Sequence, residues 1–386
     1  MFERQPVIIR DPRVLAFDYV PQKLIHREEQ LRSLSVLFRP LIEGGGASSA
    51  FLIGSVGTGK TATAKRFCTD ILQSAFEKGF PMDYIYVNCR QNSTESSVLL
   101  RLIQHFDEGY PDRGFSVSEM LRTLKRHVEK RELKAIVILD EVDVLLKKGA
   151  EDLVYQLSRF NEEEMVSSAS LSMIIISQEY VLDRLDQASI STLGRANIIR
   201  FSRYSRDELR DIVASRAEMA LMPGSVREDS LDLIADIASE WGDARFAIEL
   251  LEKSAMLAEE EGSQEVTAEM VREAKALTYS TITESRLEQL DLQHLLTLLA
   301  VTRCLKENAY VTTGKAERMY QLVAEEYGEK PRKHTQFWSY ITDLSDQGLL
   351  ETRVRGDPEG GRTTYISIAN IPSRILRSKL EEMLNR

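Results

Sequence analysis

The sequence predicts an α/β domain on a parallel five-stranded sheet, then an all-helical domain, then a winged-helix domain. Three observations carry this reading. Five short apolar runs alternate with helical patterns. The stretch from Ser205 to about Ser280 is helical throughout, and the last hundred residues place three helices before two strands. Short apolar runs bounded by turn residues read as buried strands, and intervening helices favour parallel pairing, because a parallel crossover needs a connection of helix length.

The strand runs are AFLIG (50–54), YIYVN (84–88), AIVILD (135–140), SMIIIS (172–177) and NIIRF (197–201). Each is rich in aliphatic or aromatic residues and too short for a typical helix. Amphipathic spacing places helices over 61–76, 96–106, 116–130 and 151–160. Ser205 with Glu208 forms a capping box that starts a helix over 205–221, which Pro223 and Gly224 stop. Further helices are expected over 229–241, 243–261 and, capped by Thr267, 268–278. The last part reads as helices over 287–306, 316–327 and 332–347, with Gly328 and Gly348 as stops. LLETRV and TTYISI follow as strands around the turn-rich GDPEGGR. Three helices and a β-hairpin make the winged variant of helix-turn-helix. The expected domains are 1–203, 204–283 and 284–386.

A chain of 386 residues has room for two or three domains. No apolar run approaches the ~20 residues of a membrane span, and the N-terminus MFERQPVIIRDPRV lacks a secretory apolar core. Cys68, Cys89 and Cys304 are odd in number and far apart, which suits a reducing cytoplasm, and the five scattered histidines suggest no histidine metal site. The net charge is −10, but residues 291–386 carry 14 Lys/Arg and 13 Asp/Glu, a balance of +1. Any nucleic-acid contact must therefore be local, and the last hundred residues are the least acidic place for it.

Gly54, Ser55, Val56, Gly57, Thr58, Gly59, Lys60 and Thr61 fit G-x-x-x-x-G-K-[ST] between a strand and a helix. The glycines let backbone N–H groups close around phosphates, and the helix N-terminus, including Ala62, points its dipole at the same oxygens. Lys60 is expected to neutralise the β- and γ-phosphates and Thr61 to offer its hydroxyl to Mg²⁺. Asp140, ending a buried strand, is the expected second Mg²⁺ holder, and Glu141 the group that activates the attacking water. Gln178 leaves the next strand where a polar side chain can sense a γ-phosphate, although any loop offers such a residue. Arg245, in the first turn of a helix, either reaches the nucleotide from the helical domain or is a solvated arginine.

These motifs in this order resemble an AAA+ protein of the initiator group, and the chain is most similar to the archaeal origin-recognition initiators of the Orc/Cdc type over about residues 7–370. The resemblance implies an AAA+ core, a helical lid and a C-terminal winged helix. The segment DYVPQKLIHREEQ (18–30) is similar to the family's "YVP…HRE" segment, which implies that Val20, Pro21 and Arg27 border the adenine pocket. By the same resemblance Tyr204, Arg216 and Arg245 act at the nucleotide, ATP or ADP with Mg²⁺. The stretch 92–122 resembles the initiators' helical insertion, whose tip PDRGFS (111–116) implies Arg113 and Gly114 as DNA contacts. Two departures stand out: Gln178 replaces the family's Asn, and the segment 185–193, LDQASISTL, lacks the family's arginine finger, with Arg184 and Arg195 as imperfect substitutes.

In a winged helix the last helix enters the major groove and the wing touches the backbone or minor groove. Arg332, Lys333, His334, Thr335 and Gln336 lead into that helix, while Arg353, Arg355 and Arg362 flank the wing. Trp338, Ile341 and Leu344 share a helical face and are expected in the core. The expected function is an ATPase of slow turnover that initiates DNA replication. The expected partners are double-stranded origin DNA, the replicative MCM-type helicase and paralogous initiators, in the cytoplasm. A nucleotide-gated transcription or plasmid-maintenance regulator, and a remodeller of protein partners, are the alternatives built from the same parts.

Overall fold

The computed structural model describes residues 8–161, 169–178, 180, 197–278, 287, 290–306, 308–356, 362–368 and 373–385. They fall into two compact units, Asp18–Tyr204 and a second formed by Met1–Phe17 with Ser205–Arg386.

The first unit runs α1 (Glu28–Ile42), β1 (Ser49–Ile53), α2 (Lys60–Glu77), β2 (Met82–Asn88), α3 (Glu95–Gln104), α4 (Val117–Lys130), β3 (Lys134–Asp140), α5 (Val142–Lys147), α6 (Glu151–Ser158), β4 (Ser170–Ser177) and β5 (Ile198–Arg200). The sheet order is β2-β3-β4-β1-β5, and every pairing is parallel. Alternate residues of each strand serve two different cores. Phe51, Val87, Val137 and Ile175 pack with α3 and α4, through residues such as Leu102 and Leu124. Leu52, Ile136, Ile138 and Ile174 pack with α1 and α2, through Phe38 and Phe67. All of β3 and β4 is buried, as a parallel sheet covered on both faces requires.

The second unit opens with a short 3-10 helix, Pro12–Leu15, and continues with α7 (Arg206–Ala220), α8 (Glu228–Ser239), α9 (Ala244–Glu261) and α10 (Ala268–Thr278). The winged helix follows as α11 (Leu292–Cys304), β6 (Val311–Thr312), α12 (Thr313–Glu326), α13 (His334–Asp346), β7 (Glu351–Gly356), β8 (Arg362–Ser367) and α14 (Ser373–Leu384). Its sheet is antiparallel in the order β6-β8-β7.

Several expectations need adjusting. Residues 8–17 belong with the lid rather than with the sheet. Ile8 is fully buried, Ile9 bridges Leu221, and the N–H groups of Ile8 and Ile9 donate to Glu259 at 2.6 and 2.8 Å. The helix expected from residue 287 begins instead at Leu292, because the Asp291 side chain caps it by accepting from the His294 N–H at 2.9 Å. Trp338 is not a core residue. Phe337, Tyr340, Ile341 and Leu344 form the buried stripe of α13, and Trp338 lies one position off it, 37% exposed. The helices α1, α5 and α14 and the short strand β6 were not expected; α14 adds Leu376 and Leu380 to the winged-helix core.

Candidate nucleotide site and winged-helix edge

The phosphate loop lies between β1 and α2. Gly59 caps α2 in the left-handed region at φ 86°, and a Cβ there would meet the Tyr204 hydroxyl at 2.6 Å. A Cβ on Gly54 would meet the Phe201 carbonyl oxygen at 2.4 Å. Side chains are therefore excluded at both ends of the loop, by the backbone's own conformation and by the strand and tyrosine beside it. The Thr58 hydroxyl donates to the Ser55 carbonyl at 2.8 Å, which folds the loop on itself. Lys60 is almost buried, and its Nζ donates to the Gly54 and Ser55 carbonyls at 2.6 and 2.7 Å. The ammonium thus sits inside the loop that is to hold phosphate oxygens.

Arg27 has a more definite task than bordering a pocket. It is 2% exposed, and its Nε donates to the Thr58 carbonyl at 2.9 Å, Nη1 to His26 at 2.6 Å and Nη2 to Ser202 at 3.0 Å. Its guanidinium stacks 3.6 Å from the centre of the Tyr204 ring. Arg27 and Tyr204 together fasten the phosphate loop to the chain leaving β5. Pro21 is buried and Val20 half-buried nearby in sequence, while Val56 at the loop tip is exposed and Ala62 half-buried in the first turn of α2.

The Thr61 hydroxyl donates to Asp140 at 2.7 Å, and the Tyr86 hydroxyl donates to the same oxygen at 2.9 Å. Burial, with the Asp140 and Glu141 charges beside it, pushes the Tyr86 phenol up, so it stays a donor. The Thr61 and Asp140 donors are hard oxygens sharing one small space at the loop, and this chemistry fits Mg²⁺. Among the described residues, no cluster of three or more His, Cys, Asp or Glu forms any other metal site.

Glu141 follows with φ 56°, an uncommon conformation for a residue with a side chain. Its carboxylate accepts from Asn88 Nδ2 at 3.2 Å and from Arg90 Nε at 2.6 Å, and only 23% of the side chain is exposed. Neither partner was singled out in the sequence. The signal available was Asn88 at the end of β2, which the parallel register sets beside Asp140, with Arg90 two residues on. The Cys89 thiol itself is pushed up to about 12 by burial, so it is no nucleophile here. Gln178 directly follows β4 and is half-buried, its backbone N–H 3.5 Å from Asp143. The segment 185–193, Arg184 and Arg195 lie outside the described residues.

In the second unit Arg216 is buried, and its Nη1 donates to the Val14 carbonyl at 2.7 Å. Arg245 is exposed in the first turn of α9, whose N-terminus is capped by Asp243 accepting from Arg245 and Phe246 N–H groups.

Three family models match in order: an AAA domain over residues 43–185, a Cdc6 AAA+ ATPase-type lid domain over 210–276, and a CDC6 C-terminal winged helix domain over 285–378. The chain is 33% identical to ORC1-type DNA replication protein 2 of Sulfurisphaera tokodaii, over 98% of this chain and 92% of that one. It is 32% identical to the ORC1-type DNA replication protein of Pyrococcus furiosus, over 97% and 90%. The chain belongs to the ORC1-type DNA replication proteins. Among solved structures, Cdc6p of Pyrobaculum aerophilum is similar at TM-score 0.82 and 31% identity, covering 98% of this chain and 99% of that one. The Aeropyrum pernix ORC1 protein, solved in complex with DNA, is similar at TM-score 0.66 and 29% identity, covering 99% and 98%. Family membership makes this ORC1-type chain a replication-initiation protein with an AAA+ ATPase core, a lid and a winged helix.

On the winged helix of this ORC1-type chain, Arg332, Lys333, His334, Thr335 and Gln336 are all exposed at the start of α13. Tyr320, fully buried, fixes that edge: its hydroxyl donates to Gln293 Oε1 at 2.5 Å and accepts the Arg332 N–H at 3.3 Å. His334 pairs with Glu317 at 2.7 Å. Arg353 does not stand on an open wing; its guanidinium is ion-paired to the buried Asp236 of the lid. Arg355 and Arg362 sit at the distal end of the hairpin, where Arg355 pairs with Thr363 and Gly356 with Arg362 in the register. The wing tip, 357–361, lies outside the described residues. On the insertion, Arg113 and Gly114 are exposed between α3 and α4, with Gly114 at φ 102° in open space. Phe115 packs against Tyr110 with tilted rings, 4.9 Å between ring centres.

Proposed function

We propose that this chain binds double-stranded origin DNA under the control of ATP, hydrolyses ATP slowly, and helps to load the replicative MCM-type helicase alongside paralogous initiators. The observation that carries the reading is the presence, in one chain, of a phosphate loop with Lys60, Thr61 and Asp140 gathered at it and a winged helix whose α13 leading edge is exposed. Lys60 faces the phosphate oxygens from within the loop, and the N-terminus of α2 adds its dipole. Thr61 and Asp140 would hold Mg²⁺, which would supply charge neutralisation at the phosphates. Glu141 orients the attacking water, and its pairing with Arg90 and Asn88 keeps turnover low until that carboxylate is freed. Arg245 and Gln178 read the nucleotide state. Arg332 and Gln336 read base edges, Lys333 and Thr335 hold phosphates, and Arg113 holds a second stretch of backbone. The Aeropyrum pernix ORC1 structure in complex with DNA supports DNA as the ligand.

The test is selection from a genomic library of the source organism's DNA, with ATP and with ADP, at physiological salt. The expected result is enrichment of fragments around a replication origin, lost on Arg332→Ala. Enrichment at promoters instead would make the chain a regulator, and salt-sensitive binding without enrichment would sink origin recognition by this chain.

A further inference from the structure

Asp236 is an aspartate of the lid helix α8 with a side chain only 1% exposed, and its donors include groups from the start of α7, from the segment before β6 and from β7. Arg206, at the start of α7, gives it Nε at 2.8 Å and gives Nη2 to Asp232 at 2.6 Å. The Tyr310 hydroxyl, just before β6, donates to its second oxygen. Arg353 of β7 pairs with it through Nη1, and reaches the Asp236 carbonyl and Glu351 through Nη2 at 3.5 Å. Two of these donors belong to the winged helix and one to the lid.

A second tie lies on α10. Arg272 is fully buried and uses every one of its five N–H donors. Nε goes to the Ile368 carbonyl at 2.8 Å, Nη1 to Leu305 at 3.0 Å and Glu269 at 3.2 Å, and Nη2 to Asn308 at 2.8 Å and Ala309 at 3.0 Å. The four carbonyls all belong to the winged helix. Asp229 of the lid also accepts the Ala309 N–H at 3.3 Å. Buried polar groups with many fixed partners tolerate few alternative geometries, because any shift leaves a charge or carbonyl unpaired in a medium that cannot solvate it.

We propose that the lid and the winged helix are locked as one rigid body, with Asp236 and Arg272 as its two bolts, and that Arg353 is a positioning residue of the wing rather than a DNA contact. In consequence any nucleotide-driven displacement of the lid carries the recognition helix with it. This last step rests on the DNA-binding reading above, whereas the rigidity does not.

The test uses the full-length protein with Cys304→Ser and spin labels on Met256→Cys of α9 and Leu322→Cys of α12, both exposed positions. The distance distribution between the labels is expected to be narrow and unchanged by ADP or a non-hydrolysable ATP analogue. Arg353→Ala is expected to broaden it, while the slope of log DNA affinity against log salt stays that of the unaltered protein. A distribution that moves with nucleotide overturns the proposal. So does an Arg353→Ala protein whose distances stay narrow and whose salt slope falls by about one, the mark of a lost phosphate contact. If the unaltered protein binds no DNA, the functional reading fails, but the distances still decide rigidity.

Discussion

Glu141 is held by three local constraints: a left-handed backbone at φ 56°, the amide of Asn88 and the guanidinium of Arg90. A carboxylate so engaged must exchange a protein partner for water before it can act as a base. Arg90→Ala is expected to raise steady-state ATP turnover by up to about tenfold, the worth of one charge-assisted hydrogen bond. Glu141→Gln should lower it about a hundredfold or more while nucleotide binding survives. A phosphate-release assay on both variants checks this pair. Arg27 works on the loop rather than on the reaction. Arg27→Ala leaves the Thr58 and Ser202 carbonyls without their buried donor, and it is expected to cost about 3 kcal/mol of stability and to weaken ADP binding. Denaturant melting with a fluorescent-nucleotide titration measures both effects.

At the scale of single elements, α13 depends on a buried tyrosine and α4 on an exposed cap. Tyr320→Phe leaves Gln293 Oε1 and the Arg332 N–H short of a partner, and should destabilise the winged helix by about 1–3 kcal/mol by denaturant melting. The α4 cap titrates. Donation from the Ser116 backbone N–H and hydroxyl holds the Glu119 carboxyl below its usual range. Its folded value is depressed, so its stabilisation is present above the ordinary glutamate value and is lost as pH falls through the folded one. Amide exchange at the first turn of α4 is expected to quicken as pH drops below the glutamate range, relative to α3, whose Thr94–Ser97 cap does not titrate. The five strands, the capping box at Ser205 and the phosphate loop were legible in sequence because each is a local pattern. Arg27, Asn88, Arg90 and Arg353 were not legible in their tasks. Their partners stand 31, 53, 51 and 117 positions away, a proximity that only strand register or domain packing creates. Trp338 was misassigned because spacing alone does not choose between two adjacent apolar stripes on one helix.

For the whole molecule, a net charge of −10 means that DNA contact must rest on a few local cations. Arg113 and Arg332 are exposed candidates on different units, and two modest contacts on one chain gain through effective concentration. Each alanine variant is expected to lower the salt slope of binding by about one, and the double variant by about two. Control by nucleotide is the central claim, and affinity for one origin-derived duplex tests it most directly. The measurement is the Kd of the Glu141→Gln chain, which retains ATP, set against that of the unaltered chain with ADP, at one salt concentration. A difference of about fivefold or more between the two states is predicted, the scale of an ordinary allosteric coupling. Equal affinity with ATP, with ADP and without nucleotide would contradict the account.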